Sequence, residues 1–284
     1  MFYFTDAELD EIIRENLRVY DATTSFLRIE NKPAKFQLSA LGQTVICCTE
    51  EVMKIFSKFG IQTTLFTPSG ETIERGVKFF EAEGLAGAIN AVAISVTKLI
   101  AFASGIASRT RTLTDLAYQI DKGISVTASN NFAPLTGKIT AKALQYGGGV
   151  LYGNFYPDQV HVNDYHMNFI GGNDLFKDRI SLRRRYLKGK ILTAEVTGFE
   201  NAVKAAASGV DIVQLDNFPL KEIIHVRKEM TKAGSPAKLA ACNYITPDNI
   251  NGYASSGADI LISTWINKGH PSELMLNIVP AFEV

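Results

Sequence analysis

Apolar positions recur at two different periods along this chain, and the change of rhythm divides it. Thr5-Asp6-Ala7-Glu8 has the spacing of a capping box, and Leu9, Ile12, Ile13 and Leu17 follow at helical intervals. The chain therefore opens on an amphipathic helix. Residues 25–30 and 34–40 alternate apolar and polar and read as two strands, separated by the turn residues Asn31-Lys32-Pro33. Residues 43–47 read as a buried strand, 49–59 as a helix ended by Gly60, and 62–66 as a strand. Pro68-Ser69-Gly70 is a turn, and 77–81 is a further short run. This irregular mixture predicts an α+β domain with a mainly antiparallel sheet. Residues 84–121 form one long or broken helix, apolar enough to pack on both sides and closed by Gly123. The domain boundary falls inside it, near Ser108. The first domain is 1–107, with the tail 272–284 returning to it, and the second is 108–271.

From Ile124 onward the pattern changes. Residues 124–127, 160–162, 191–196, 212–215, 239–241 and 260–263 are short apolar runs. The last four recur every ~20–26 residues, the spacing of βα units on a parallel sheet. Residues 199–208, 220–233 and 246–256 are helical, with Gly209, Gly234 and Gly257 at their C-cap positions. Six such strands predict a barrel or partial barrel. No glycine fingerprint opens a first βα turn, which argues against a dinucleotide cofactor. In a parallel barrel the functional side chains stand just past the carboxyl end of each strand. Those positions hold Asn130 and Asn131, Asp164 and His166, Glu195 and Thr197, Asp216 and Asn217, Asn243 and Tyr244, and Thr264 and Trp265.

Composition narrows the function classes. The 284 residues carry 29 Lys+Arg and 29 Asp+Glu, so no global field draws the chain to nucleic acid or to an anionic membrane. The basic cluster Arg183-Arg184-Arg185 reads as a solvated loop or helix end. Residues 84–108 include Lys98 as their only basic residue and several hydroxyl residues, and read as a buried helix rather than a membrane span. Cys47, Cys48 and Cys242 have neither disulfide nor zinc spacing, and no haem motif is present. A reducing, cytoplasmic setting fits. Cys242 reads as a small buried hydrophobe, and His161, His225 and His270 as structural or surface residues. His166 is open between a site residue and a core histidine.

The triple glycine Gly147-Gly148-Gly149 follows an apolar-periodic segment. It has two readings: a helix C-cap running into a loop, or a backbone N–H cradle for a phosphate.

At this point the residues match a known pattern. Residues 103–108 (ASGIAS), the triple glycine, Asp164-x-His166, Ala194-Glu195-Val196 and residues 211–216 (DIVQLD) stand in family order and spacing. The chain resembles the quinolinate phosphoribosyltransferase family across essentially its whole length. It looks most like the ModD branch, whose members are named pyrophosphorylases and occur with molybdenum-transport operons. Residues 4–10 (FTDAELD), Pro68-Ser69-Gly70 and Ala82-Glu83-Gly84 carry that likeness. The resemblance implies an N-terminal α/β sandwich domain followed by an incomplete parallel α/β barrel. It also implies Mg²⁺, a homodimer with shared sites, and transfer of a phosphoribosyl group from phosphoribosyl pyrophosphate to a nitrogen base.

The resemblance places catalytic and metal-holding roles on Glu195 and Asp216. Substrate-binding roles fall on Asn130, Asn131, Lys138, Lys142, Gly148, Gly149, Tyr152, Asp164, His166, Asn243, Tyr244 and Thr264. The acidic side of the family pattern is kept and much of the basic side is exchanged. The family's Thr-Arg-Lys run falls on Ser129-Asn130-Asn131, and its His-Arg pair on Tyr152-Gly153. A lysine becomes Val162 or Asn163, and a charged pair of the long helix falls on Ala93-Ile94. There a family histidine becomes Asn90. A Gly-Gly phosphate loop falls on Asn243-Tyr244. Each lost charged hydrogen bond is worth about 1.5–3 kcal/mol. Two functions follow. One is a phosphoribosyltransferase acting on an unidentified base, in which Arg109 or Arg111 reaches in from the long helix. The other is a non-catalytic small-molecule-binding or regulatory homologue that has lost phosphoribosyl pyrophosphate.

Overall fold

The computed structural model describes residues 2–14, 17, 21–156, 158–171 and 176–281. Its elements run α1 (Asp6–Arg14), α2 (Ala22–Phe26), β1 (Pro33–Ala40), β2 (Thr44–Val45), α3 (Thr49–Lys58), β3 (Gln62–Phe66), β4 (Thr72–Ile73), β5 (Lys78–Leu85) and α4 (Ala86–Ile120). The second half continues with β6 (Ser125–Ala128), α5 (Gly137–Tyr146), β7 (Gln159–Val162), α6 (Asp164–Ile170), α7 (Phe176–Arg183), β8 (Ile191–Val196) and α8 (Phe199–Ala207). It ends with β9 (Ile212–Asp216), α9 (Leu220–Lys232), β10 (Lys238–Asn243), α10 (Ile250–Ala254), β11 (Ile260–Ser263), α11 (Trp265–Lys268) and β12 (Leu274–Pro280). The chain forms two compact units, residues 1–108 with 269–284, and residues 109–268. The long helix is unbroken and passes from the first unit into the second.

The first unit holds a four-stranded antiparallel sheet in the order β12-β1-β5-β3. The alternation of β1 is realised in full: Ala34, Phe36, Leu38 and Ala40 are buried, while Lys35, Gln37 and Ser39 take the other face. Phe36, Phe56 and Phe80 meet edge to face, with ring centroids 5.0–6.2 Å apart, an arrangement that complements their quadrupoles. The capping box also forms. Thr5 N donates to Glu8 Oε2 at 2.7 Å, and Glu8 N donates to Thr5 Oγ1 at 3.3 Å. Of the apolar positions read for this helix, Leu9 and Ile13 are buried; residues 15 and 16 lie outside the described residues.

Two local expectations are overturned here. Residues 25–30 are not a strand. Asp21 accepts from the backbone N–H groups of Thr23 and Thr24 and starts the short helix α2. The apolar residues Phe26 and Leu27 are exposed, so there is no buried face for an alternating strand to supply. The strand read at 43–47 shrinks to Thr44–Val45.

The apolar helix α4 is long enough to cross a membrane by length and composition alone. Its first-unit part is instead core: Ile89, Val92, Val96 and Ile100 are buried. Its hydroxyls hold neighbouring backbone. Ser104 Oγ accepts from Cys47 N at 3.0 Å, and Ser108 Oγ from Val45 N at 2.9 Å.

The second unit is a six-stranded, all-parallel sheet in the order β6-β11-β10-β9-β8-β7. Successive strands are neighbours from β7 to β11, and β6 lies beside β11. The cycle is open between β6 and β7, which makes it a partial barrel. The chain after the triple glycine bridges that opening. Val150 N donates to Val126 O at 2.9 Å on one side, and Gly153 N to Gln159 Oε1 at 2.7 Å on the other. At the amino ends of the strands a device recurs. Asp211 accepts from Leu192 N and pairs with Arg184, and Asp259 accepts from Leu239 N and pairs with Arg227. Each aspartate ties its own strand to the preceding one and recruits an arginine from an outer element.

Candidate active site

Strand alternation decides which side chains enter the partial barrel. Ile212, Ala240, Cys242, Ile260 and Ile262 pack together around the ring of Tyr152, with Ile191 against them. By the two-residue period, Thr193 and Glu195 on β8 and Gln214 and Asp216 on β9 share that inward face. The interior is therefore divided by strand: β8 and β9 turn Thr193, Glu195, Gln214 and Asp216 inward, while Ala240, Cys242, Ile260 and Ile262 of β10 and β11 keep their side apolar.

The polar side chains are connected. Tyr152 donates its hydroxyl to Gln214 Oε1 at 2.9 Å. Gln214 Nε2 donates to Glu195 Oε2 at 2.8 Å, and His161 Nε2 lies 2.8 Å from the same oxygen. Gln159 Nε2 donates to Thr193 Oγ1 at 2.6 Å. Burial raises the Tyr152 phenol above its ordinary range and keeps it neutral. Asp216, on the strand next to Glu195, is pushed up by burial first and by the charge of Glu195 second. Its Oδ2 accepts from Asn217 Nδ2 at 3.1 Å. Cys242, facing Asp216, is pushed up to about 12, chiefly by burial and then by Asp216. It is a protonated thiol without nucleophilic character at neutral pH.

The structure brings some of the sequence candidates together and separates others. Glu195 and Asp216 lie on adjacent strands, Asp216 two residues beyond Gln214, the register partner of Glu195, and both Glu195 and Asp164 lie near enough to act on Asp216. Asp164 Oδ2 accepts from Thr197 Oγ1 at 3.1 Å. Asn243 and Thr264 are joined at the neighbouring strand ends, where Thr264 Oγ1 donates to Asn243 O at 3.4 Å. Asn243 Nδ2 donates to Phe218 O at 3.3 Å. Tyr244 is half exposed, with Lys268 Nζ 5.8 Å from its ring centre. Asn130 and Asn131 are exposed after β6, and the amide of Asn130 lies against Gly153. Lys138 is half-buried at the start of α5. Lys142 is buried in that helix, with Nζ 5.4 Å from the Tyr146 ring centre.

Two open readings are decided and one changes. His166 is exposed and forms a capping box with Asn163, its Nδ1 2.6 Å from Asn163 Oδ1, so it is not a core histidine. His161, taken from the sequence as structural or surface, is instead the partner of Glu195. No spacing rule signals it, because the pair is made across two strands. The triple glycine is a close-packed helix end. Gly147 N, Gly148 N and Gly149 N donate to Ala143 O, Gln145 O and Leu144 O at 2.9, 3.0 and 2.9 Å. Gly148 has φ +87°, and a Cβ at Gly149 would meet Thr110 Cγ2 at 2.8 Å and Val126 O at 2.9 Å. Gly148 and Gly149 thus pack against α4 and β6. Arg111, a candidate to reach into the site, spends its guanidinium on the carbonyls of Tyr146 and Gly147. Arg109 Nε donates to Ile266 O at 2.8 Å, and burial lowers its pKa to about 10.

An antiparallel α/β unit followed by an open six-stranded parallel barrel, with carboxylates at its strand ends, defines a type II phosphoribosyltransferase fold. The chain belongs to the quinolinate phosphoribosyltransferase family: "Quinolinate phosphoribosyl transferase, N-terminal domain" matches residues 21–104, and "Quinolinate phosphoribosyl transferase, C-terminal domain" matches residues 106–276. Its relatives include a protein named as the pyrophosphorylase ModD from Rhodobacter capsulatus, 27% identical over 80% of this chain and 87% of that one. A protein named as a carboxylating nicotinate-nucleotide pyrophosphorylase, from Methanothermobacter thermautotrophicus, is 27% identical over 94% of this chain and 96% of its own. Among solved structures, nicotinate-nucleotide pyrophosphorylase from Ehrlichia chaffeensis superposes with a TM-score of 0.86 at 20% identity, over 98% of this chain and all of that one.

Proposed function

We propose that this chain is a phosphoribosyltransferase that joins a phosphoribosyl group to an unidentified nitrogen base, with release of pyrophosphate. The observation that supports it is the Glu195–Asp216 pair at the carboxyl ends of adjacent strands, on the fold of a transferase family. Two carboxylates beside a ribose accept from its hydroxyls and stabilise positive charge at the anomeric carbon as the bond to pyrophosphate breaks. Asn130, Asn131, Asp164, His166, Asn243, Tyr244 and Thr264 would line the mouth around base and sugar. Lys138 and Lys142 would supply positive charge to the phosphates.

Mg²⁺ belongs to this reading. Among the described residues no group of three or more His, Cys, Asp or Glu converges as a metal site. A Glu195–Asp216 pair suits Mg²⁺, which is usually held by one or two carboxylates together with substrate phosphates. Bound there, the ion would neutralise charge on the departing pyrophosphate. A cytoplasmic setting and a homodimer with shared sites complete the proposal; three free, buried cysteines suit the first. Light scattering is expected to give about twice the mass of one chain, and a monomeric mass would remove the shared site. A connection with molybdenum transport is part of the same proposal and is carried by the resemblance of residues 4–10 and 82–84 to the ModD branch.

One observation favours the second reading, a binding or regulatory homologue: the N–H groups of the triple glycine are all occupied by helix carbonyls. Calorimetric titration of Mg²⁺–phosphoribosyl pyrophosphate at low salt separates the two. Micromolar binding is the expected result. No binding at millimolar concentration would overturn the transferase and leave the homologue.

A further inference from the structure

Glu195 is not held as an isolated carboxylate would be. Its Oε2 lies 2.8 Å from Gln214 Nε2 and 2.8 Å from His161 Nε2, whereas Oε1 has no hydrogen bond within the described residues. The directions of these bonds are forced. Gln214 accepts the Tyr152 hydroxyl at its Oε1 and so donates to Glu195 from its amide nitrogen. An ionised carboxylate only accepts, so His161 must carry its proton on Nε2. One oxygen is thereby saturated by two donors from flanking strands, and the side chain keeps 31% exposure for the other.

We propose that His161 is a positioning residue: together with the Tyr152–Gln214 chain it fixes the Glu195 carboxylate so that Oε1 faces the hydroxyls of the bound sugar. The inference rests on the phosphoribosyltransferase reading. A carboxylate on a two-carbon stem rotates about three bonds. Two donors on one oxygen leave a single orientation, and the entropy of ordering it is met on folding rather than on binding. This suits a site whose basic residues have been exchanged for amides, since orientation of the remaining acceptors then carries more of the recognition. The buried Nδ1 of His161 has no hydrogen-bond partner among the described residues, so its Nε2 makes the polar contact of the ring there.

The test compares wild type, His161→Leu and His161→Gln. Glutamine reproduces the Nε2 donor and leucine removes it. In calorimetric titration with Mg²⁺–phosphoribosyl pyrophosphate, leucine is expected to weaken binding by roughly tenfold, the size of one lost hydrogen bond to a charged group. Glutamine is expected to stay within about threefold of wild type. Equal binding by wild type and His161→Leu overturns the positioning role. Loss in both variants with an unchanged melting temperature overturns it too, because a retained donor should rescue. If wild type itself does not bind, the transferase reading fails instead. The contact is then judged by nitrogen NMR of the histidine ring: a protonated Nε2 whose signal moves in Glu195→Gln is expected, and an unmoved signal refutes the pairing.

Discussion

Glu195→Gln and Asp216→Asn are each expected to weaken Mg²⁺–phosphoribosyl pyrophosphate binding by roughly a hundredfold, while the protein melts no lower than wild type. A carboxylate facing ribose hydroxyls contributes charge-assisted hydrogen bonds of about 1.5–3 kcal/mol each, and each 1.4 kcal/mol is a factor of ten. The amide of glutamine still accepts from His161 and Gln214 through its oxygen, so the polar network survives. For Asp216 the stability effect has a sign. Its pKa is raised by burial and by Glu195. A carboxyl with a raised folded-state pKa contributes stability below its unfolded value and loses it as pH rises through the folded one. At neutral pH the ionised Asp216 is therefore a cost. Asp216→Asn is expected to raise the melting temperature at pH 7, an advantage that shrinks towards pH 4. Calorimetry and melts at both pH values check both halves. A variant that binds as wild type would remove the pair from the site.

The second large effect is structural. Gly149→Ala is expected to lower the melting temperature by several degrees. The new Cβ would lie 2.8 Å from Thr110 Cγ2, 2.9 Å from Val126 O and 3.2 Å from Leu144 O. Two of these atoms are backbone carbonyls and cannot turn aside. Such overpacking costs about 1–3 kcal/mol, and in a chain of this size each kcal/mol is about 2–4 °C. Gly148→Ala meets its nearest neighbour at 3.5 Å and pays mainly for φ +87°, so it should fall less. If the glycines served a phosphate instead, Gly149→Ala would lose ligand affinity at an unchanged melting temperature.

Those two regions also show where sequence reasoning reached. The short apolar runs of β9, β10 and β11 are legible because a parallel strand buried on both faces is nearly continuous in its apolarity, whereas β7 at the sheet edge is only partly buried. The capping box is legible because its two bonds close within four residues. The strand read at 25–30 failed because alternation alone cannot tell whether a partner face exists. Glu195 and Asp216 stand out as carboxylates at strand ends, and the family likeness names them. His161 could not be found this way. Its partner stands 34 residues along the chain, and only the register of β7 on β8 brings the two together.

The sequence by itself determined the division into an α+β unit and a parallel α/β unit, the long helix between them, and the acidic pair. All of these follow from local period, end-capping chemistry or position on a strand. Only the tertiary structure decided that the triple glycine is spent on packing, that Arg111 serves a helix end, and that Tyr152, Gln214 and His161 converge behind Glu195. The physical reason is the same in each case. A hydrogen-bond donor does not declare its acceptor in the sequence, and strand pairing sets which of the available partners comes within 3 Å.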